Sequence, residues 1–419
     1  MAPARTPEYF LLAARRAEIA ALQHLAASCR LVTDACALVH QLQRERGISN
    51  VFLASAGERF ADQRLKQVQA CIRMEQDFRA NLQHLDAGAL PAAGGMRLLN
   101  RLAWVLHELD RLPEVRSKIG DQALSATETT QAFSELVAGL LSVVFEAADI
   151  ASDPDITRVL VALFNFIQGK EYAGQERAWA AIGFAEGHFA KELCERLRLL
   201  REAQQRCFET FVAFSPAPHQ ASWQALEASS PTQEFMRLRQ VMMRVAESDE
   251  LHTGISEIWY SLATARIDGM KEIEDALATA LLEMSERKMV LAREALRDSS
   301  NRVQAIAAMR VPARVPVQVM MDAPGERPDP HPDLARSIYD MVAHQAEHLR
   351  RISEELDQAR QALAERKLME RAKGILMTQR GMSEEDAWRT LRQTAMNSNM
   401  SLTRVAEGVI SMSGLLKRS

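Results

Sequence analysis

The chain has 419 residues, of which 47% are hydrophobic and 25% charged, and its formal net charge is −4. That composition excludes a disordered or strongly charged chain and allows two or three domains, each with a sizeable core. Five cysteines (Cys29, Cys36, Cys71, Cys194, Cys207) form no CxxC pair, which excludes a disulfide scaffold and fits reduced thiols in a cytoplasm.

Abundant Ala, Leu, Glu, Arg and Gln in stripes of period 3.6 predict an all-α protein. The first helix is studded with Arg15, Arg16 and Glu18, so no secretory signal is expected there. From about residue 30 to 290 long helices succeed one another, with breaks at Asp86–Gly95, Ala148–Asp155, Phe214–His219 and Ser229–Thr232. Such short connections imply antiparallel bundles. The longest apolar runs, Leu136–Phe145 and Val159–Ile167, reach about half the length of a membrane span, so no membrane is expected. Cys29 and Cys36, seven residues apart, suit core packing better than a disulfide.

Two helices carry the same anomaly. The apolar stripe Leu31, Ala35, Leu38, Leu42 is interrupted by Glu45 and Arg46 before Leu53 resumes it, within QLQRERGISN (41–50). The stripe Phe166, Ala173, Ala181, Phe184 is interrupted by Lys170 and Arg177, within QGKEYAGQERA (168–178). Both place Glu-Arg before a small residue with a Gln nearby, which predicts an internal duplication and two facing bundles. A buried unpaired charge costs several kcal/mol. Either each Arg pairs internally, Arg46 with Glu45 or a neighbouring carboxylate, or it snorkels to solvent, or the two share a small anion with Lys170. A planar guanidinium fork suits a planar oxyanion better than a lysine does.

The strings QRERGxS (43–49), GQERA (174–178) and WYSLATARID (259–268) resemble the NIT family of helical nitrate- and nitrite-sensing modules, over most of residues 30–290. The resemblance implies an Arg-lined nitrate site. Arg46, the second Arg of RERG, is the first candidate contact and Arg177 the second. Arg237 in FMRLRQ is a third, with Arg239 competing, and Arg44 and Arg266 stand further out. The second motif reads QERA, lacking the first Arg, so the site need not be symmetric.

A long helix is expected over Glu272–Arg310, followed by a linker with six prolines between Pro312 and Pro332, too rich in proline to be helical. Residues 291–333 form this connection. Beyond it, Ile338, Val342, Gln345, Leu349, Ile352, Leu356, Ala359 and Leu363 follow heptad spacing. They predict a coiled-coil-like helix starting in 334–350 and favour a homodimer; an amphipathic helix lying on the chain's own bundle fits the same pattern.

The last segment reads as three short helices. Ala372, Ile375, Leu376 and Gln379 share the inner face of the first, which Gly381 closes in the left-handed conformation. Ser383 with Asp386 caps the second, lined by Ala387, Leu391 and Ala395; Ser401 caps the third, through Leu402, Val405, Ala406 and Val409. Outward-facing Lys373, Arg380, Trp388, Arg389, Arg392 and Met396 could stack on a base and hold its phosphates, unless Trp388 packs in the core. Residues 360–419 carry 11 Lys and Arg against 6 Asp and Glu, whereas the preceding 359 carry 40 against 49, a basic tail on an acidic body. AKGILM (372–377), GMSEEDAW (381–388), LRxxAM (391–396) and VAxxVI (405–410) resemble the ANTAR family of RNA-binding antitermination modules, here over 351–412. The resemblance implies binding to stem-loops of a leader mRNA.

Together these features predict a cytoplasmic nitrate- or nitrite-responsive antiterminator with no cofactor beyond its regulatory ligand. A DNA-binding regulator and a signalling scaffold are the rival classes. Absence of HExxH, GxSxG and a phosphate-binding Gly loop argues against catalysis.

Overall fold

The computed structural model describes residues 7–85, 88, 92–149, 151, 153–186, 189–245, 255–308, 364–365, 367–382, 384–398 and 400–416. Among these residues there are helices and no strands, as the stripes predict. The helices are α1 (Pro7–Ala54), α2 (Ala61–Leu82), α3 (Ala92–Gly120), α4 (Ala126–Asp149), α5 (Pro154–Glu186), α6 (Lys191–Phe214), α7 (Ala217–Ala228), α8 (Ser230–Val245) and α9 (Ile255–Ala308). Three shorter ones follow: α10 (residues 367–380), α11 (Glu384–Ser398) and α12 (Leu402–Leu416). The heptad segment 338–363 and the proline-rich linker lie outside the described residues, as does the Ser383 cap.

Local signals set the helix ends. Ser125 and Glu128 form a reciprocal capping box at the start of α4, each accepting the other's backbone N–H, at 2.8 and 3.2 Å. The Asp153 carboxylate accepts from Ile156 N at 3.1 Å to open α5, with Pro154 at its first position. Each of the four predicted breaks spans a junction between two observed helices, though residues 86–87 and 89–91 of the first lie outside the described residues. Further interruptions, at residues 55–60 and 121–125, carry left-handed Ala56, Phe60 and Gln122, which the stripes gave no reason to expect.

Helices α1 to α4 form one bundle, α1 lying against α2 and α4, and α3 against α4. The second gathers α5, α6, α7, α8 and α9. The two meet where α1 packs on α9 and α5, and one apolar core runs through the seam, from Leu38 and Leu42 to Val144, Phe166 and Leu277. A smaller core of Phe184, Phe235, Met242 and Trp259 fills the far end of the second bundle. Helix α9 begins at Ile255, earlier than the Glu272 expected, and passes residue 290 unbroken. Helix α4 is long and apolar enough to cross a membrane, yet two-thirds of its most apolar stretch is buried inside the bundle, so its hydrophobicity has a packing explanation. Cys29, Cys36, Cys71 and Cys207 are buried thiols; burial pushes Cys29 up to about 12 and Cys36 well above its ordinary value.

The small module packs Ala372, Leu376, Ala387, Leu391, Ala395, Val405 and Ala406 into its own core, with Leu402 and Val409 at its edge. Gly381 takes φ 62° and ends α10, and Ser401 Oγ accepts from Arg404 N at 3.3 Å to start α12. Gln379, expected inside, is exposed. It lies in the last turn of α10.

Candidate functional site

The two Glu-Arg motifs meet at the seam between α1 and α5. Each Glu turns back into its own bundle and binds an Arg bidentately. Glu45 accepts from Arg116 Nε and Nη2, both at 2.8 Å, and Glu176 accepts from Arg239 Nε at 2.5 Å and Nη2 at 2.6 Å. Gln204 of α6 adds a third donor to Glu176 at 2.7 Å. The duplication read from the sequence therefore has a structural counterpart: the same residue, in the same motif, anchors the same kind of fork in each bundle. Arg46 does not pair with Glu45, because adjacent residues on a helix point about 100° apart.

The two arginines turn the other way, towards each other's helix. Arg46 lies across Gly174 of α5, its Nη2 3.0 Å from where a Cβ would stand, and Arg177 lies across Gly47 of α1 at 2.9 Å. A side chain at either glycine would occupy the guanidinium's place. Arg46 donates to Glu171 at 2.6 and 3.2 Å and to Ser134 Oγ at 2.8 Å. Arg177 donates Nη1 to Thr264 Oγ1 at 2.9 Å and lies 4.9 Å from the centre of the Tyr260 ring, and among the described residues it forms no ion pair. Burial, and after it the nearby charge of Arg46, pulls the Arg177 guanidinium below its ordinary value. A buried guanidinium without an ion pair is able to take an anion as its partner.

The other expected residues are placed differently. Lys170 is fully buried against Glu274, so it is not free to share an anion. Arg44 and Arg237 are exposed. Arg239, two residues from Arg237 and therefore on the opposite face of α8, is the buried one, and it holds Glu176. Arg266 is buried elsewhere, between Phe208, Trp223 and Phe235, with Glu227 at 2.9 Å. Of the five candidates the structure brings together Arg46 and Arg177. Sequence reasoning missed Glu171, Thr264 and Tyr260.

The small module rests on the sensor through the face expected to bind nucleic acid. Arg392 pairs with Glu202 of α6 at 3.0 Å, and Arg206, one turn further along α6, lies 4.8 Å from the centre of the Trp388 ring. A cleft of about 110 Å³ remains between the two helices, lined by Glu195, Arg198 and Leu199 on one side and Arg389, Arg392, Gln393 and Met396 on the other. Arg198 chiefly, and after it Arg389 and Arg392 from the module, lowers the Glu195 carboxyl. Lys367 makes a further bridge to Asp149 at the end of α4, at 2.8 Å. Arg380 is exposed, Met396 is 64% exposed, and Arg389 pairs locally with Asp386. Lys373, expected on the outer face, is buried and pairs with Glu370, because its stem follows Ala372 and Leu376 inward.

Comparison with known proteins gives two family matches: a nitrate and nitrite sensing (NIT) model over residues 37–282 and an ANTAR domain model over 357–410. The chain is 33% identical to the nitrate regulatory protein of Klebsiella oxytoca, over 98% of this chain and 96% of that one. It is 46% identical over 55 residues to the transcriptional regulatory protein PdtaR of Mycobacterium tuberculosis, covering 13% of this chain and 27% of that one. The solved structure of the NasR transcription antiterminator superposes with a TM-score of 0.59 at 30% identity, over 96% of this chain and 98% of that one.

Proposed function

The chain belongs to the nitrate- and nitrite-sensing family and carries an ANTAR domain, and from that premise we propose that nitrate or nitrite binds between Arg46 and Arg177 and thereby frees the ANTAR face for leader RNA. The protein is a nitrate-responsive transcription antitermination regulator. The observation that carries the ligand site is the meeting of two buried guanidiniums with, among the described residues, a single contacting carboxylate. Nitrate is planar, singly charged and weakly hydrated, so its desolvation is cheap and its edge matches a guanidinium fork.

Without the anion, Arg46 and Arg177 repel across the seam. Nitrate neutralises that charge and favours a different spacing of α1 and α5. Glu176, next to Arg177, is tied through Gln204 to α6, and α6 carries Glu202 and Arg206 on its other face. A shift of α6 loosens Arg392 and Trp388 together. Trp388, Arg392, Arg389 and Met396 then become available to stack on unpaired bases and hold phosphates. Heptad spacing over 338–363 supports pairing of two chains, which matches two output modules to two stem-loops. The reading places the protein in the cytoplasm, where nitrate and nascent transcript share a compartment.

The test is titration of the full chain with a two-hairpin leader RNA, with and without sodium nitrate. Nitrate should tighten RNA binding, and RNA should tighten nitrate binding by the same factor. Equal RNA affinity under both conditions would sink the release model.

A further inference from the structure

Glu171 is 2% exposed on α5, and all four acceptor positions of its carboxylate are filled. Oε1 accepts from Arg46 Nη1 at 2.6 Å and Gln175 Nε2 at 2.8 Å; Oε2 accepts from Gln43 Nε2 at 2.7 Å and Arg46 Nη2 at 3.2 Å. Three of these four bonds come from α1 and one from α5 itself, so the group is held in place from both sides of the seam. Its carboxylate presents the edge of a planar oxyanion to Arg46, as a nitrate would.

The charge count at the seam is uneven. Arg46 and Arg177 bring two positive charges, and Glu171 is the carboxylate in contact with either of them among the described residues. Asp268 acts on Arg177 only through space, and the other carboxylates nearby are bound elsewhere, Glu45 to Arg116, Glu176 to Arg239 and Glu274 to Lys170. One positive charge is left over, on the side of Arg177.

We infer that Glu171 determines the specificity of the seat: by occupying the fork of Arg46 it leaves one unmatched positive charge, so the seat takes a singly charged oxyanion and refuses a doubly charged one. The inference rests on the nitrate reading of the site. Glu171 makes the seat weaker than two bare arginines would be, and in exchange excludes a doubly charged oxyanion such as sulfate. Gln43 and Gln175 hold the carboxylate so that it cannot swing aside to make room.

Thermal melting of the full chain in sodium nitrate and sodium sulfate at matched ionic strength tests this. The wild type should shift with nitrate and not with sulfate. Glu171→Gln keeps the shape and removes the charge; it should bind nitrate roughly tenfold tighter, the weight of one nearby like charge removed, and gain a sulfate shift. Thr264→Asp works in the opposite direction, setting a carboxylate where Arg177 now donates to a hydroxyl at 2.9 Å and so cancelling the spare positive charge, and should lose the nitrate shift with the fold intact by circular dichroism. A merely structural role for Glu171 would lower both melting points without changing the ratio of nitrate to sulfate response. Wild-type discrimination persisting in Glu171→Gln, or a full nitrate shift in folded Thr264→Asp, overturns the inference and leaves the nitrate site standing. No nitrate shift in the wild type removes the site itself, and the inference with it.

Discussion

Arg177 reaches across the bundle seam to Gly47, its Nη2 lying 2.9 Å from where a Cβ on that glycine would stand, with the Tyr260 hydroxyl at 3.1 Å from the same point. The glycine sits mid-helix, where Ala would gain up to about 1 kcal/mol of helix propensity. Gly47→Ala should therefore leave stability level or slightly raised while pushing the guanidinium from its seat. Isothermal titration with nitrate should show binding weakened by about tenfold or more, on the order of the 1.4 kcal/mol that a displaced charge-assisted hydrogen bond is worth. A variant that melts like wild type and binds nitrate equally well would mean that the Gly47–Arg177 contact is packing alone.

The two arginines should separate when each is removed. Arg46 holds Glu171, so Arg46→Ala strands a buried carboxylate and should cost roughly 3–5 kcal/mol, besides abolishing the nitrate response. Arg177 has no ion pair to strand, so Arg177→Met should raise the stability of the ligand-free protein by on the order of 1 kcal/mol while also abolishing the response. Urea unfolding with and without nitrate reads both quantities. Equal destabilisation by the two variants would contradict the assignment of Arg177 as the open seat.

Arg46 and Arg177 were legible in the sequence because a charge on an apolar stripe violates the pattern around it. Glu171 was not, because its partner Arg46 lies 125 residues away and nothing near it marks it as buried. The choice between Arg237 and Arg239 was open to helical phase: Phe235, Arg239 and Met242 share a buried face, and a stripe drawn through α8 would have selected Arg239. Most inner residues of the small module, from Ala372 and Leu376 to Val405 and Ala406, followed from period, since three short helices have only one apolar face each to bury; Gln379 did not. Its docking on α6 did not follow, because Glu202, Arg206, Arg392 and Trp388 all belong to polar surfaces that read as solvated in either module alone.

His40, one turn before Gln43 on α1, is buried near Lys170, Lys271, Arg44 and Arg177, and among the described residues its Nδ1 has no hydrogen-bond partner. Burial first, then those positive charges, lowers its pKa from 6.5 to about 2. The unfolded chain therefore takes up a proton below pH 6.5 that the folded chain refuses, and stability is lost as pH falls through that value. The loss should approach about 1.4 kcal/mol per pH unit well below 6.5. His40→Gln should flatten the slope of unfolding free energy between pH 6.5 and 5, measured in urea; an unchanged slope would assign acid sensitivity to other groups.

The contact between α6 and α11 should act as the brake on RNA binding. Arg392 and Glu202 are 24% and 30% exposed, and a partly exposed pair of this kind is worth about 1 kcal/mol or less. The cation over Trp388 adds roughly 0.5–1 kcal/mol. Glu202→Gln alone should therefore tighten nitrate-free RNA binding by no more than about fivefold, and Glu202→Gln with Arg206→Ala by about tenfold, since both residues lie on one face of α6. Neither change touches Arg46, Arg177 or Glu171, so nitrate binding itself should persist, weakened or strengthened only through coupling. The double variant should accordingly show less gain in RNA affinity on adding nitrate, because part of the release has already been made. Gln204→Leu should do something different: it cuts the tie between Glu176 and α6 on the opposite face and leaves the docking contacts in place, so nitrate binds and RNA affinity no longer follows it. Full-chain RNA titrations in four conditions, the double variant and Gln204→Leu each with and without nitrate, distinguish a loosened brake from a severed link. Wild-type coupling in both variants would show that the signal leaves the sensor by another helix.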